Sequence, residues 1–294
     1  METEITVFYT VCDNMLKTMN FRDDCQAGMN TAEVMTVVLT AARFFCGNIR
    51  TSAVFLSEHG YIPDMLSESR LNRRIHATDE SAWENLFLTF ADIFKAAEDG
   101  EHIIDSFPVP VCDNIRIPRA KILRGEDRRG YMPSKRRYFY GIRVHMITTA
   151  SGYPVEFVIA PGRDSDVAVL RQMRFDLPEG SVCHGDKIYN DYNCEDMLRE
   201  AAGIILSPIR KKNSVRAADS RVERLARQNT RKRIGTTFGQ ITNFFPKKIH
   251  AVTPKGFFLK VISFIISFSF HCLIAQFFTY IASHITIRPF KIRI

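Results

Sequence analysis

The sequence predicts an α/β protein: a mixed sheet flanked by helices, preceded by an all-helical N-terminal domain. Three observations lead there. Residues 1–99 place apolar side chains at helical spacing, residues 101–210 alternate strand-like runs with helical ones, and two of the strand-like runs close on an aspartate.

The helices come first. Thr31 to Cys46 carries Val34, Val37, Val38, Ala41, Phe44 and Phe45 at helical spacing and ends at Gly47, and a shorter helix runs from Thr51 to Glu58. After Pro63, Ser67 to His76 reads as a short amphipathic helix, with serine as N-cap and Arg70, Arg73 and Arg74 around Asn72. Asp79 and Glu80 stand where the positive end of a helix dipole favours acids, opening a helix to about Ala97 with Trp83, Leu86, Phe87, Phe90 and Phe94 on its apolar side. A helix, a turn and a second helix rich in Arg and Asn can enter a major groove, which makes Arg70, Arg73 and Arg74 candidate DNA contacts. A helical packing domain with a basic exposed face accounts for the same pattern.

The strands follow. His102 to Asp105 is a short apolar run ending in a carboxylate. Tyr138 to Ile147 alternates like a strand, Ala150-Ser151-Gly152-Tyr153 is turn chemistry, and Pro154 to Ile159 returns, so the pair reads as a hairpin. Asp164-Ser165-Asp166 starts a helix through Met173. Ser181 to Asp186 is a second short strand closing on a carboxylate, Cys194 to Ala202 is helical, and Gly203 to Pro208 is a last strand.

Composition narrows the function classes. At 294 residues, 46% hydrophobic and 24% charged, the chain is neither a disordered tail nor a disulfide mini-protein. Its net charge of +8 favours partners that carry negative charge, nucleic acid or anionic membrane. The excess is localised: Arg210 to Arg233 holds ten basic residues against Asp219 and Glu223, and Arg116 to Arg137 holds nine against Glu126 and Asp127. Phosphate neutralisation requires such clustering, and Arg210, Lys211, Lys212, Arg231, Lys232 and Arg233 are therefore candidate DNA contacts. Solvated basic faces are the plainer alternative. Seven cysteines without a C-x-x-C pair indicate neither a zinc ribbon nor a secreted disulfide framework, so a reducing cytosolic compartment is expected. The acidic start, Met1-Glu2-Thr3-Glu4, lacks the basic stretch of a signal peptide.

Asp105 and Asp186 each end a strand-like run, where open α/β sheets place ligands. Two carboxylates from neighbouring strands can hold hard divalent cations such as Mg²⁺, and a pair of such ions can activate the attacking oxygen and stabilise the leaving oxygen of a phosphodiester. Aspartates also cap strands and turns routinely. Lys187 and Tyr189 follow closely enough to reach a phosphate, although a solvent-facing lysine and a packing tyrosine explain them as well. His145 reads as a core or edge histidine, and Asp166 as a helix N-terminal residue outside the site.

The strings Ile104-Asp105-Ser106-Phe107-Pro108-Val109-Pro110-Val111-Cys112, Tyr138-Phe139-Tyr140-Gly141 and Gly185-Asp186-Lys187-Ile188-Tyr189 resemble those of DDE insertion-sequence transposases, in particular the IS nine-eight-two group. The likeness runs from about Ser69 to about Ile266. The resemblance implies an RNase H-like catalytic core at 100–274, with two aspartates and a glutamate holding two Mg²⁺ ions, Mn²⁺ being an alternative. It implies strand cleavage at terminal inverted repeats and joining of the freed 3′-hydroxyl to target DNA, by a homodimer on double-stranded DNA. A bacterial cytoplasmic, nucleoid-associated protein is expected, with residues 1–99 as its DNA-binding domain.

One departure matters. The family pattern places the third acid in a string like R-x-I-E-x-x-F, and this chain has Arg233-Ile234-Gly235-Thr236-Thr237-Phe238, with Gly235 in the glutamate's place. Glycine offers no oxygen to a metal, and Gly235 and Gly239 each cost a helix about 1 kcal/mol relative to alanine. Glu223, twelve residues earlier, would sit ~18 Å away along one helix and about a third of a turn round, too far to substitute. Impaired cleavage is expected, and a catalytically inactive DNA-binding protein derived from a transposase is the alternative.

Val261 to Ser283 has no formally charged residue and is long enough to span a bilayer. The rival reading is thus a basic membrane-associated protein with a C-terminal transmembrane helix. A buried closing helix from Phe257 to about Ile274 is the expectation here, with no membrane partner and with 275–294 as an apolar and basic extension.

Overall fold

The fold comes from a computed structural model that describes residues 1–98, 100–112, 114–133, 136–210, 214–216 and 220–284; of residues 223, 224, 226, 227 and 278–284 it describes the backbone alone. Five helices lead: α1 (Glu2–Thr18), α2 (Thr31–Phe44), α3 (Ile49–Glu58), α4 (Glu68–Ala77) and α5 (Glu80–Ala96). Their starts follow the chemistry of the residues before them. Asn30 and Glu33 form a reciprocal capping box on α2, and the Asp79 carboxylate accepts from the Ser81 N–H at α5. Ser67 precedes α4 but its hydroxyl makes no capping bond, contrary to the role its position suggests.

The sheet has six strands: β1 (Glu101–Cys112), β2 (Arg129–Met132), β3 (Arg137–Thr149), β4 (Pro154–Pro161), β5 (Val182–Gly185) and β6 (Ile205–Pro208). Its order is β2-β3-β1-β5-β6, with β4 also on β3. β3 lies antiparallel to β1, β2 and β4, while β1, β5 and β6 are mutually parallel. Helices α6 (Asp166–Leu170) and α7 (Tyr192–Ala202) connect β4 to β5 and β5 to β6, and α8 (Arg221–Thr242) and α9 (Pro254–His284) follow. This is a mixed α/β fold consistent with the RNase H-like core that the strings imply.

β1 corrects the sequence reading in one respect. It does not stop at Asp105 but continues to Cys112, through Pro108 and Pro110. Two prolines fit because β5 pairs only with Glu101–Ile103, so further along β1 has a strand partner on one side, β3. Gly141, opposite Pro110, is required by closeness: a Cβ there would stand 2.2 Å from the Val109 carbonyl oxygen. The short strand β2 and the 3-10 turns Asn114–Arg119 and Glu126–Arg128 fill the first basic stretch, which the alternation of apolar residues did not reveal.

The N-terminal helices and the sheet share one core through α9. Phe270 packs edge-on against Phe8 of α1 and Phe90 of α5, with centroids 4.7 and 4.6 Å apart, and Phe87 of α5 meets Phe157 of β4 at 4.7 Å. Pro254–Phe277 is long and apolar enough to cross a bilayer, with mean hydropathy 2.0, yet 61% of its apolar window is buried in the protein. Phe257, Val261, Phe264, Ile265, Ile266 and Phe270 lie wholly inside. The helix continues past Ile274, the limit set by the sequence pattern, to His284, and 285–294 lie outside the described residues.

Candidate active site

Parallel register brings the two aspartates together. β1 and β5 pair as Glu101↔Val182, His102↔Cys183 and Ile103↔His184. Two residues beyond the last pair, Asp105 and Asp186 follow on from two strands that lie about 4.8 Å apart where they pair, and one guanidinium reaches both carboxylates. Asp105 is inside β1 rather than at its end, but it stands just past the point where pairing with β5 stops, which leaves its carboxylate an open side. Each carboxylate is steadied locally: Asp105 Oδ1 accepts from the Ser106 N–H at 2.8 Å, and Asp186 Oδ1 from the Lys187 N–H at 2.7 Å.

A third side chain closes the arrangement. Helix α8 lies over this face of β1, with Phe238 against Phe107 at 4.6 Å. Seven residues before Phe238, on the same side of the helix, Arg231 donates from Nη2 to Asp105 Oδ2 at 2.9 Å, and its Nη1 stands 3.3 Å from Asp186 Oδ1. Asp105, Asp186 and Arg231 are 28, 35 and 23% exposed, so the cluster opens to solvent. Burial pushes the Asp105 carboxyl above its ordinary value and neighbouring Asp186 adds to this; Arg231 and the Ser106 N–H oppose the rise without cancelling it.

Gly235 is one turn beyond Arg231, about 6 Å further along the axis, and exposed. Nothing lies within 4 Å of the place its Cβ would occupy. The backbone of α8 therefore presents position 235 next to the aspartates' bridge, with room for a larger side chain.

Beneath the carboxylates lies a polar layer outside the set read from the sequence. Ser106 Oγ donates to Asp166 Oδ1 at 2.7 Å, and Arg143 Nη1 approaches both oxygens of that carboxylate at 3.3–3.4 Å. His145, fully buried as a core histidine, stands 3.7 Å from the same carboxylate, and burial brings its pKa down to about 4. Asp166 is indeed the first residue of α6, but it is 6% exposed and tied to the residue after Asp105. Only a contact 60 residues apart in sequence reveals that second role.

Several basic residues taken as DNA contacts have other employment. Arg210 makes a bidentate pair with Glu195, at 2.7 and 2.8 Å, and Glu195 is 4% exposed, so Arg210 pins the strand β6 exit to α7. Arg74 pairs with Asp23 at 2.9 Å and donates to the Met29 carbonyl, joining α4 to the loop before α2. Tyr189 is completely buried and packs, so its hydroxyl does not reach a phosphate outside. Arg231 faces the aspartates. Arg70, Arg73, Lys187, Lys232 and Arg233 are exposed, with Arg233 donating to the Ser151 carbonyl at 2.6 Å. Lys211 and Lys212 lie outside the described residues.

The donor set does not fit a two-ion centre. Among the described residues no group of three or more His, Cys, Asp or Glu gathers at one point. Two carboxylates would face four positive charges, a guanidinium already stands between them, and Gly235 brings no oxygen.

No curated protein and no solved structure matches the chain. Residues 95–250 match the family model described as a transposase DDE domain, a stretch that contains β1, β5, α8 and the three residues Asp105, Asp186 and Arg231. With more than half of its 294 residues inside that match, over a mixed sheet of the corresponding class, the chain belongs to the family of transposase DDE domains.

Proposed function

We propose that the chain is an insertion-sequence transposase of the IS nine-eight-two group that binds double-stranded DNA, and that Gly235 in place of the third acid leaves it cleaving poorly or not at all. One observation carries the reading: Asp105 and Asp186, 81 positions apart, converge on one guanidinium, a single helical turn before Gly235. The family generally uses divalent metal ions. In an active relative Mg²⁺ or Mn²⁺ would supply charge for phosphodiester cleavage, and in this chain Asp105 and Asp186 are the carboxylates available to hold one. Arg231 instead offsets their charge, so the chain's own contribution at this point is to hold a compact, nearly balanced polar cluster beside DNA.

Arg70, Arg73, Lys187, Lys232 and Arg233 are the exposed cations that would meet phosphates of the inverted repeats and of target DNA, with 1–99 supplying part of the DNA-binding surface. A homodimer on paired ends, in the cytoplasm with the nucleoid, completes the reading. The burial of most of the apolar window of α9 supports a core helix over a membrane anchor.

The test is strand cleavage with Mg²⁺ on DNA carrying the element's own termini. Gly235→Glu is expected to cleave and the unaltered chain to bind the same DNA with little or no cleavage. Robust cleavage by the unaltered chain overturns the reading of Gly235. A Gly235→Glu chain that binds without cutting would favour the inactive DNA-binding protein.

A further inference from the structure

We propose that Tyr131 and Tyr138 form a stacking platform for an unpaired DNA base, about eight nucleotides from the carboxylates. This rests on the DNA-binding reading above and adds a site to it. The two tyrosines are cross-strand partners on β2 and β3, with ring centroids 4.9 Å apart. They are 41 and 59% exposed, although large aromatic side chains are ordinarily buried and every other described aromatic of β1 and β3 is. The two rings are inclined at 52° to one another, and both are open to solvent.

The surroundings select the ligand. Arg116, Arg119 and Lys121 in the turn segment after β1, and Arg136 and Arg137 leading into Tyr138, are exposed and form no ion pair with a described residue. The Asn114 side chain donates to the Tyr138 carbonyl at 3.1 Å, which ties the turn segment to the platform. Exposed rings among cations that pair with no described residue suit a strand that offers a π face and a phosphate at each step, since stacking on tyrosine is indifferent to which base is presented. An apolar protein surface would leave those cations desolvated and unpaired, so the charge favours nucleic acid over a protein partner.

Register places the platform relative to the carboxylates. Asp105 pairs with Met146 across β1 and β3, and Tyr138 lies eight residues back along β3 on the same face. At ~3.4 Å per residue the separation is about 27 Å, or roughly eight steps of a B-form strand. A base turned out of the duplex at that distance would meet Tyr138 while the strand end lies near Asp105.

The experiment compares a labelled 20-nucleotide oligothymidine with a 20-base-pair duplex, by fluorescence anisotropy on the full chain. For Tyr131→Ala with Tyr138→Ala, oligothymidine affinity is expected to fall roughly five- to a hundredfold while duplex affinity changes less than twofold. The Tyr131→Phe with Tyr138→Phe variant keeps the rings and is expected to bind both probes like the unaltered chain. Unchanged oligothymidine affinity in the alanine variant, or equal loss for both probes, overturns the platform and leaves DNA binding standing. Failure of the unaltered chain to bind either probe would instead remove the DNA-binding reading itself.

Discussion

The bridge between Asp105, Arg231 and Asp186 makes a quantitative prediction about metal. The three side chains sum to one negative charge. Gly235→Glu raises this to two and Arg231→Gln, made together with it, to three. For a divalent ion ~5 Å from each altered group, Coulomb's law in water gives about 1.7 kcal/mol per unit charge, and more in a less polar setting. Each substitution is therefore expected to tighten Mn²⁺ binding roughly tenfold or more, and the pair about a hundredfold or more, read from the loss of the free-ion electron paramagnetic resonance signal during titration. Gly235→Glu also removes a glycine from the interior of α8 at a position with open space around it, so thermal stability should rise by up to ~1 kcal/mol, which shows that the variant folds. Tight Mn²⁺ binding by the unaltered chain would refute the reasoning, as would a stable double variant that binds no better than its parent.

His145, held near pKa 4 by burial, is neutral in the fold and protonates at its ordinary value of 6.5 when unfolded. The unfolded chain binds more protons between these values, so stability should fall as pH drops from about 6.5 to 4; in His145→Leu that part of the melting-temperature decline should vanish, and an unchanged profile would count against it. Arg210→Ala strips the bidentate partner from buried Glu195, which keeps Arg216 at 2.6 Å, and should cost about 1.5–3 kcal/mol in urea unfolding, whereas a residue serving only DNA would leave stability unaltered. Removing exposed Arg70 and Arg73 together should leave the melting temperature in place and lower the slope of log affinity against log salt by about two; an unchanged slope places the DNA elsewhere.

Much of this architecture was legible in order along the chain. The hairpin of β3 and β4 was marked by alternation on either side of Ala150-Ser151-Gly152-Tyr153, and α2 and α5 by apolar spacing, with Asp79 at the start of α5; the Asn30 cap of α2 emerged only in the fold. The aspartates stood out because each closes a strand-like run, where open α/β sheets place ligands. β2 was not legible: Arg129-Gly130-Tyr131-Met132 is too short and too polar to show a period, and becomes a strand only by pairing with β3.

Sequence by itself determined which groups carry charge, that position 235 is a glycine, and most of the order of strands and helices, because these follow from residue identity and local periodicity. Tertiary structure alone decided how the charges are used. Arg210 and Arg231 belong to one basic stretch, yet one is held by a buried glutamate and the other by the two aspartates, and both pairings depend on where α7, α8 and the sheet meet. A guanidinium reaches whatever carboxylate packing brings within about 3 Å, and neighbours along the chain do not specify that distance.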